Sequence, residues 1–83
     1  MISNNNIRLR NLLEEVLLID NDQYRDDYGP DEIETWDSLA SVSIAAAIEK
    51  EFGYAMLPEE MASLGAISDL KEILRSQGFD FNQ

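Results

Sequence analysis

The chain has no cysteine and no histidine. The first absence excludes disulfides, thiolate metal sites and a cysteine nucleophile. The second removes the commonest general base near neutral pH and the commonest neutral metal ligand. Any catalysis would fall to carboxylates, Ser, Tyr and a few Lys or Arg. Cations are also scarce: 6 basic side chains stand against 17 acidic ones, for a net charge of −11. Such a surface repels phosphate backbones and anionic headgroups, so neither nucleic acid nor an anionic membrane is an expected partner. It favours solubility and steering toward basic patches on other proteins. No apolar run approaches the length of a membrane span. The segment Met1 to Arg10 is polar and lacks the apolar centre of a secretory signal. A cytoplasmic location without membrane insertion is the expectation.

Eighty-three residues, 45% of them apolar, suit a single domain over 1–83 with one modest core and no deep enzyme cleft. A monomer is expected. Leu9, Leu12, Leu13 and Val16 recur at helical spacing, which predicts a helix from Asn5 to Ile19 with Ser3 or one of Asn4 to Asn6 as its cap. The spacing predicts a short helical turn over Pro58–Leu64, with Pro58 leading and Glu59 and Glu60 near its positive end. A last helix over Ser68–Ser76 buries Leu70, Ile73 and Leu74, and Gly78 ends it. The folded part spans about 5–76, and 79–83 is expected to be a loose tail. No alternating strand pattern or repeat is present, so the fold class is all-α: an irregular four-helix bundle with a long first loop and a short third helix.

Between the first two helices, Asp20 to Trp36 loses periodicity and is crowded with acidic residues. Gly29-Pro30 marks a turn, and Ile33 and Trp36 are the candidate anchors to the core. The segment Asp20-Asn21-Asp22 opens like a calcium-binding EF-hand loop. Tyr24 at its fifth position, Arg25 in place of the glycine and Asp31 in place of the closing glutamate argue against that site. No metal is expected.

The second helix is predicted from Asp37 to Phe52, with Asp37 as N-cap and Gly53 just past its end. Ile44, Ile48 and Phe52 fall within about 80° and form the core face. Leu39, Val42 and Ala46 form a second apolar stripe about 140° away. A helix buried on both sides would explain two stripes. So would an exposed docking strip for a partner. Ser38, in the first turn, is the candidate functional residue. The free N–H groups and positive dipole end there favour an anion, such as a phosphate esterified to its hydroxyl. A hydrolase using Ser38 would need a Lys or carboxylate as base, and neither Lys50 nor Lys71 is near in sequence.

Trp36-Asp37-Ser38-Leu39, Ile44, Ile48-Glu49-Lys50-Glu51-Phe52-Gly53, Leu64 and Ile67-Ser68-Asp69-Leu70 together resemble the acyl carrier protein family. The resemblance covers roughly residues 7–76. It implies the family's four-helix bundle and attachment of 4′-phosphopantetheine, drawn from coenzyme A, to Ser38 by a separate phosphopantetheinyl transferase. It implies no catalysis by the chain itself. Cargo would ride as a thioester, presented to acyl-loading and acyl-processing enzymes. The same resemblance puts Leu39 beside the arm, and Leu39, Val42, Ala46 and Glu49 on the partner-facing side, with Asp37 capping the helix beside the site.

The departures shape that expectation. Members serving fatty acid synthesis usually carry acidic residues where Ala40 and Ser43 stand here, and Lys50 interrupts the acidic run after Ile48. The tryptophan before Asp-Ser-Leu resembles discrete carriers of specialised lipid, polyketide or amino acid-loading pathways. The Gly-Gly-x-Ser pattern of many peptidyl carriers is missing. The alternatives carried forward are an aminoacyl or peptidyl carrier and an acidic helical interaction module that is never modified.

Overall fold

A computed structural model describes residues 4–81. The element order is α1 (Asn4–Leu17), a 3-10 turn (Asn21–Gln23), α2 (Ser38–Phe52), α3 (Pro58–Ala62) and α4 (Ile67–Ser76). The all-α bundle with a long first loop and a short third helix is the architecture expected. Among the described residues no helix is long and apolar enough to cross a membrane.

In α1, Leu9, Leu13 and Leu17 follow one another at i, i+4 and i+8 and are wholly buried. Leu12 and Val16, expected on the same face, sit half-buried at its edge. The helix ends two residues before the predicted Ile19. Leu18 adopts φ 55°, and the N–H of Ile19 reaches back to the carbonyl of Glu14 at 3.2 Å. A left-handed leucine costs about 1–2 kcal/mol, and Leu18 is 83% exposed. Residue type did not announce this stop. Of the cap candidates, Asn4, Asn5 and Asn6 lie inside the helix and Ser3 lies outside the described residues.

Contacts at both ends set α1 antiparallel to α2. Arg8, near the start of α1, pairs with Glu51 at the end of α2 at 2.7 Å and covers the Phe52 ring at 4.5 Å. At the other end, the Thr35 hydroxyl donates to the carbonyl of Leu17. The core joins α1 to Ile44, Ile48 and Phe52 of α2 and to Ile67, Leu70 and Leu74 of α4.

The long loop is anchored as expected, with Ile33 and Trp36 buried. Its carbonyls also serve α4: Asp26 and Tyr28 accept from the N–H groups of Ser68 and Ile67 at 2.9 and 2.8 Å. Those first-turn donors have no intrahelical partner. The Gly29 backbone passes directly against Gly65. A Cβ at Gly29 would fall 1.9 Å from the Gly65 carbonyl oxygen.

The loose tail is corrected for the residues described. Phe81 is 2% exposed, and Phe79 meets the Phe52 ring edge-on at 5.1 Å. Asn5 holds the segment by donating to the carbonyl of Asp80 at 3.0 Å. Two aromatics close the end of the core, so the folded part runs past residue 76. Asn82 and Gln83 lie outside the described residues.

Candidate functional site

Asp37 has extended backbone angles, and its Oδ1 accepts the N–H of Ala40 at 2.8 Å. The N–H of Ser41 closes the first helical bond onto the carbonyl of Asp37 at 2.9 Å. Ser38 is therefore the first residue of α2, in the turn where helix N–H groups lack intrahelical partners and the dipole is positive. Its side chain is exposed. At the other end Gly53 takes φ 73°, the left-handed cap predicted for it, with its N–H on the carbonyl of Glu49 at 2.9 Å.

The two apolar stripes of α2 have different fates. Ile44, Ile48 and Phe52 are buried. Leu39 is 77% and Val42 65% exposed, and Ala46 and Glu49 are exposed beside them. A helix buried on both sides is thereby ruled out. The second stripe is an open apolar face that begins one residue after Ser38. No acidic residue stands in the first turn of α2.

A groove of about 710 Å³ opens at Ser38. Trp36, Ser41 and Ala45 line one wall, and Met56, Met61 and Leu64 line the other. The volume falls in the range of small-molecule sites. The indole of Trp36 fixes the first wall by donating to the Ser41 hydroxyl at 3.2 Å. Glu60 fixes the second by accepting at one oxygen from the Tyr54 hydroxyl at 2.7 Å and from the N–H of Leu57 at 2.9 Å. That hydrogen bond raises the Tyr54 hydroxyl above its ordinary pKa. The methionine wall was not anticipated. Its signal in the sequence was two methionines flanking the Pro58 turn.

The acidic loop takes a form of its own. Its 3-10 turn closes with the N–H of Asp20 on the Gln23 side chain at 3.3 Å. Among the described residues no group of three or more Asp or Glu could hold a metal ion.

Fold and site together define a small all-helical protein, with four α-helices among the described residues and an exposed serine at a helix start, next to a groove and an open apolar face. No family model, no curated protein and no solved structure matches the chain.

Proposed function

We propose that this chain is an acyl carrier protein, holding 4′-phosphopantetheine from coenzyme A in phosphodiester linkage to Ser38. The observation that carries this reading is the position of Ser38: exposed, first in α2, capped by Asp37, on the rim of the groove and beside the Leu39–Val42–Ala46 face, which meets the groove at Val42. The residues present fit the group. The phosphate would lie at the positive end of α2, where free N–H groups favour an anion, and the open approach leaves the hydroxyl within reach of a transferase.

The bound arm supplies a terminal thiol, and with it the thioester chemistry that a cysteine-free chain lacks. The chain's own tasks are holding and presenting. Trp36, Ala45, Met56, Met61 and Leu64 offer an apolar lining for cargo, and burial there excludes water at about 25 cal/mol per Å² of apolar surface. Leu39, Val42, Ala46 and Glu49 form the face met by acyl-loading and acyl-processing enzymes. The chain catalyses nothing. Neutral Ala40 and Ser43 and the tryptophan before Asp37 favour service in a specialised lipid, polyketide or related pathway.

The test is intact-protein mass after incubation with coenzyme A and a broad-specificity phosphopantetheinyl transferase, with Ser38→Ala alongside. A gain of one phosphopantetheine in the wild type alone supports the proposal. No gain in folded protein with several transferases overturns it and leaves an unmodified interaction module that uses the same apolar face.

A further inference from the structure

Three of the chain's 6 cationic side chains, Arg10, Arg25 and Lys71, line one cavity of about 540 Å³. It lies between the first half of α1, the loop that follows α1, and α4. It shares no lining residue with the groove beside Ser38. In a chain of net charge −11 this convergence is unusual, and electrostatics among the residues present does not account for all of it.

Lys71 has a structural partner. Its side chain is 3% exposed, and Nζ donates to Asp26 Oδ1 at 2.7 Å. Arg10 and Arg25 form no ion pair among the described residues. With Asp26 engaged by Lys71, Asp27 is the one further carboxylate on the wall, set against two guanidinium groups. The Tyr24 ring also lines the cavity, but its hydroxyl is closed off from solvent, so the ring and not the hydroxyl meets the space.

Arg10 and Arg25 carry guanidinium groups without a carboxylate partner among the described residues, Arg25 resting over the Tyr28 ring at 5.8 Å. Guanidinium forks match the paired oxygens of phosphate and carboxylate. The cavity is larger than a bare anion needs, and the Tyr24 ring and Ile7 give it an apolar side.

We propose that this cavity binds a small organic oxyanion, a compound with a phosphate or carboxylate head held by Arg10 and Arg25. The site is independent of the reading of Ser38.

The experiment is an amide NMR titration of the full chain with phenyl phosphate and with benzoate, and with benzyl alcohol as the uncharged control. Expected are saturable shifts at Arg10, Tyr24, Arg25 and Lys71 and none over Ser38–Ala45. Affinity should fall at least tenfold in the Arg10→Gln, Arg25→Gln double variant. Tighter binding of phenyl phosphate assigns the head as a phosphate ester, and tighter binding of benzoate assigns it as a carboxylate. Shifts that never saturate, saturation unchanged in the double variant, or equal binding of benzyl alcohol would overturn the proposal. Neither arginine holds an ion pair, so the double variant should keep native dispersion. If it does not, the two single variants carry the comparison.

Discussion

Trp36 Nε1 donates to Ser41 Oγ at 3.2 Å across the residues that bracket Ser38. The bond ties the last turn of the loop to the first turn of α2. It also satisfies the polar edge of a side chain that is 3% exposed. Ser41→Ala would leave the indole N–H buried without that partner, a loss of about 1–2 kcal/mol. Urea unfolding followed by tryptophan fluorescence measures it. A change below a few tenths of a kcal/mol would show that solvent already serves the N–H.

Asp37 is expected to act on α2 as a cap. Asp37→Ala should destabilise the fold by about 1 kcal/mol, and Asp37→Asn by much less, because the amide oxygen can still accept from Ala40. Thermal unfolding of the two variants separates capping from charge. Equal losses would mean that the negative charge at the positive helix end matters more than the hydrogen bond.

Gly29 and Gly65 differ in what a methyl group would meet. At Gly29 it would strike backbone at 1.9 Å. At Gly65 it would meet only the Asp69 carboxylate, at 3.4 Å. Gly29→Ala should therefore cost at least about 2 kcal/mol, the order seen when a packed site is overfilled. Gly65→Ala should cost well under half of that. Chemical denaturation of the pair checks the ranking, and the reverse order would refute the close approach of loop and α3–α4 turn.

Tyr24 makes the fold sensitive to alkali. Its pKa is raised to about 12 from 10.0, first by burial and then by Asp26 and Glu14, with Arg10 opposing. Between those values the unfolded chain releases the phenolic proton while the folded chain keeps it. The unfolded state then binds fewer protons, so stability falls as pH rises from about 10 to about 12. Partial exposure of the ring limits the loss to about 1 kcal/mol. Stability measured across that interval should decline in the wild type and be flatter in Tyr24→Phe.

What was legible in the sequence was local. Asp37, Ser38 and Gly53 mark the ends of α2 because cap chemistry acts between close neighbours. Ile44, Ile48 and Phe52 declare their face by spacing alone. What stayed hidden depends on distant partners. Lys71 reads as a surface lysine until Asp26, 45 positions away, is brought to it. Phe81 reads as a tail residue until Phe52 turns toward it. Periodicity favoured Leu12 and Val16 for the α1 core. The antiparallel set of α2 selected Leu17 instead, and left Leu12 and Val16 at the rim. At the candidate site, Ser38 and the Leu39–Val42–Ala46 stripe were readable, whereas Met56 and Met61 needed the return of α3 to become a wall.

The two walls of the groove at Ser38 also differ in mechanical compliance. The α2 wall is part of a helix with three buried residues. The α3 wall is a five-residue helix with none, held by Met61 and the following Leu64 against the core and by Glu60 to the segment before it. Segments with few buried contacts open at low free energy. Any widening of the groove should therefore fall on α3 before it reaches α2, so the frame that holds Ser38 is the stiffer of the two.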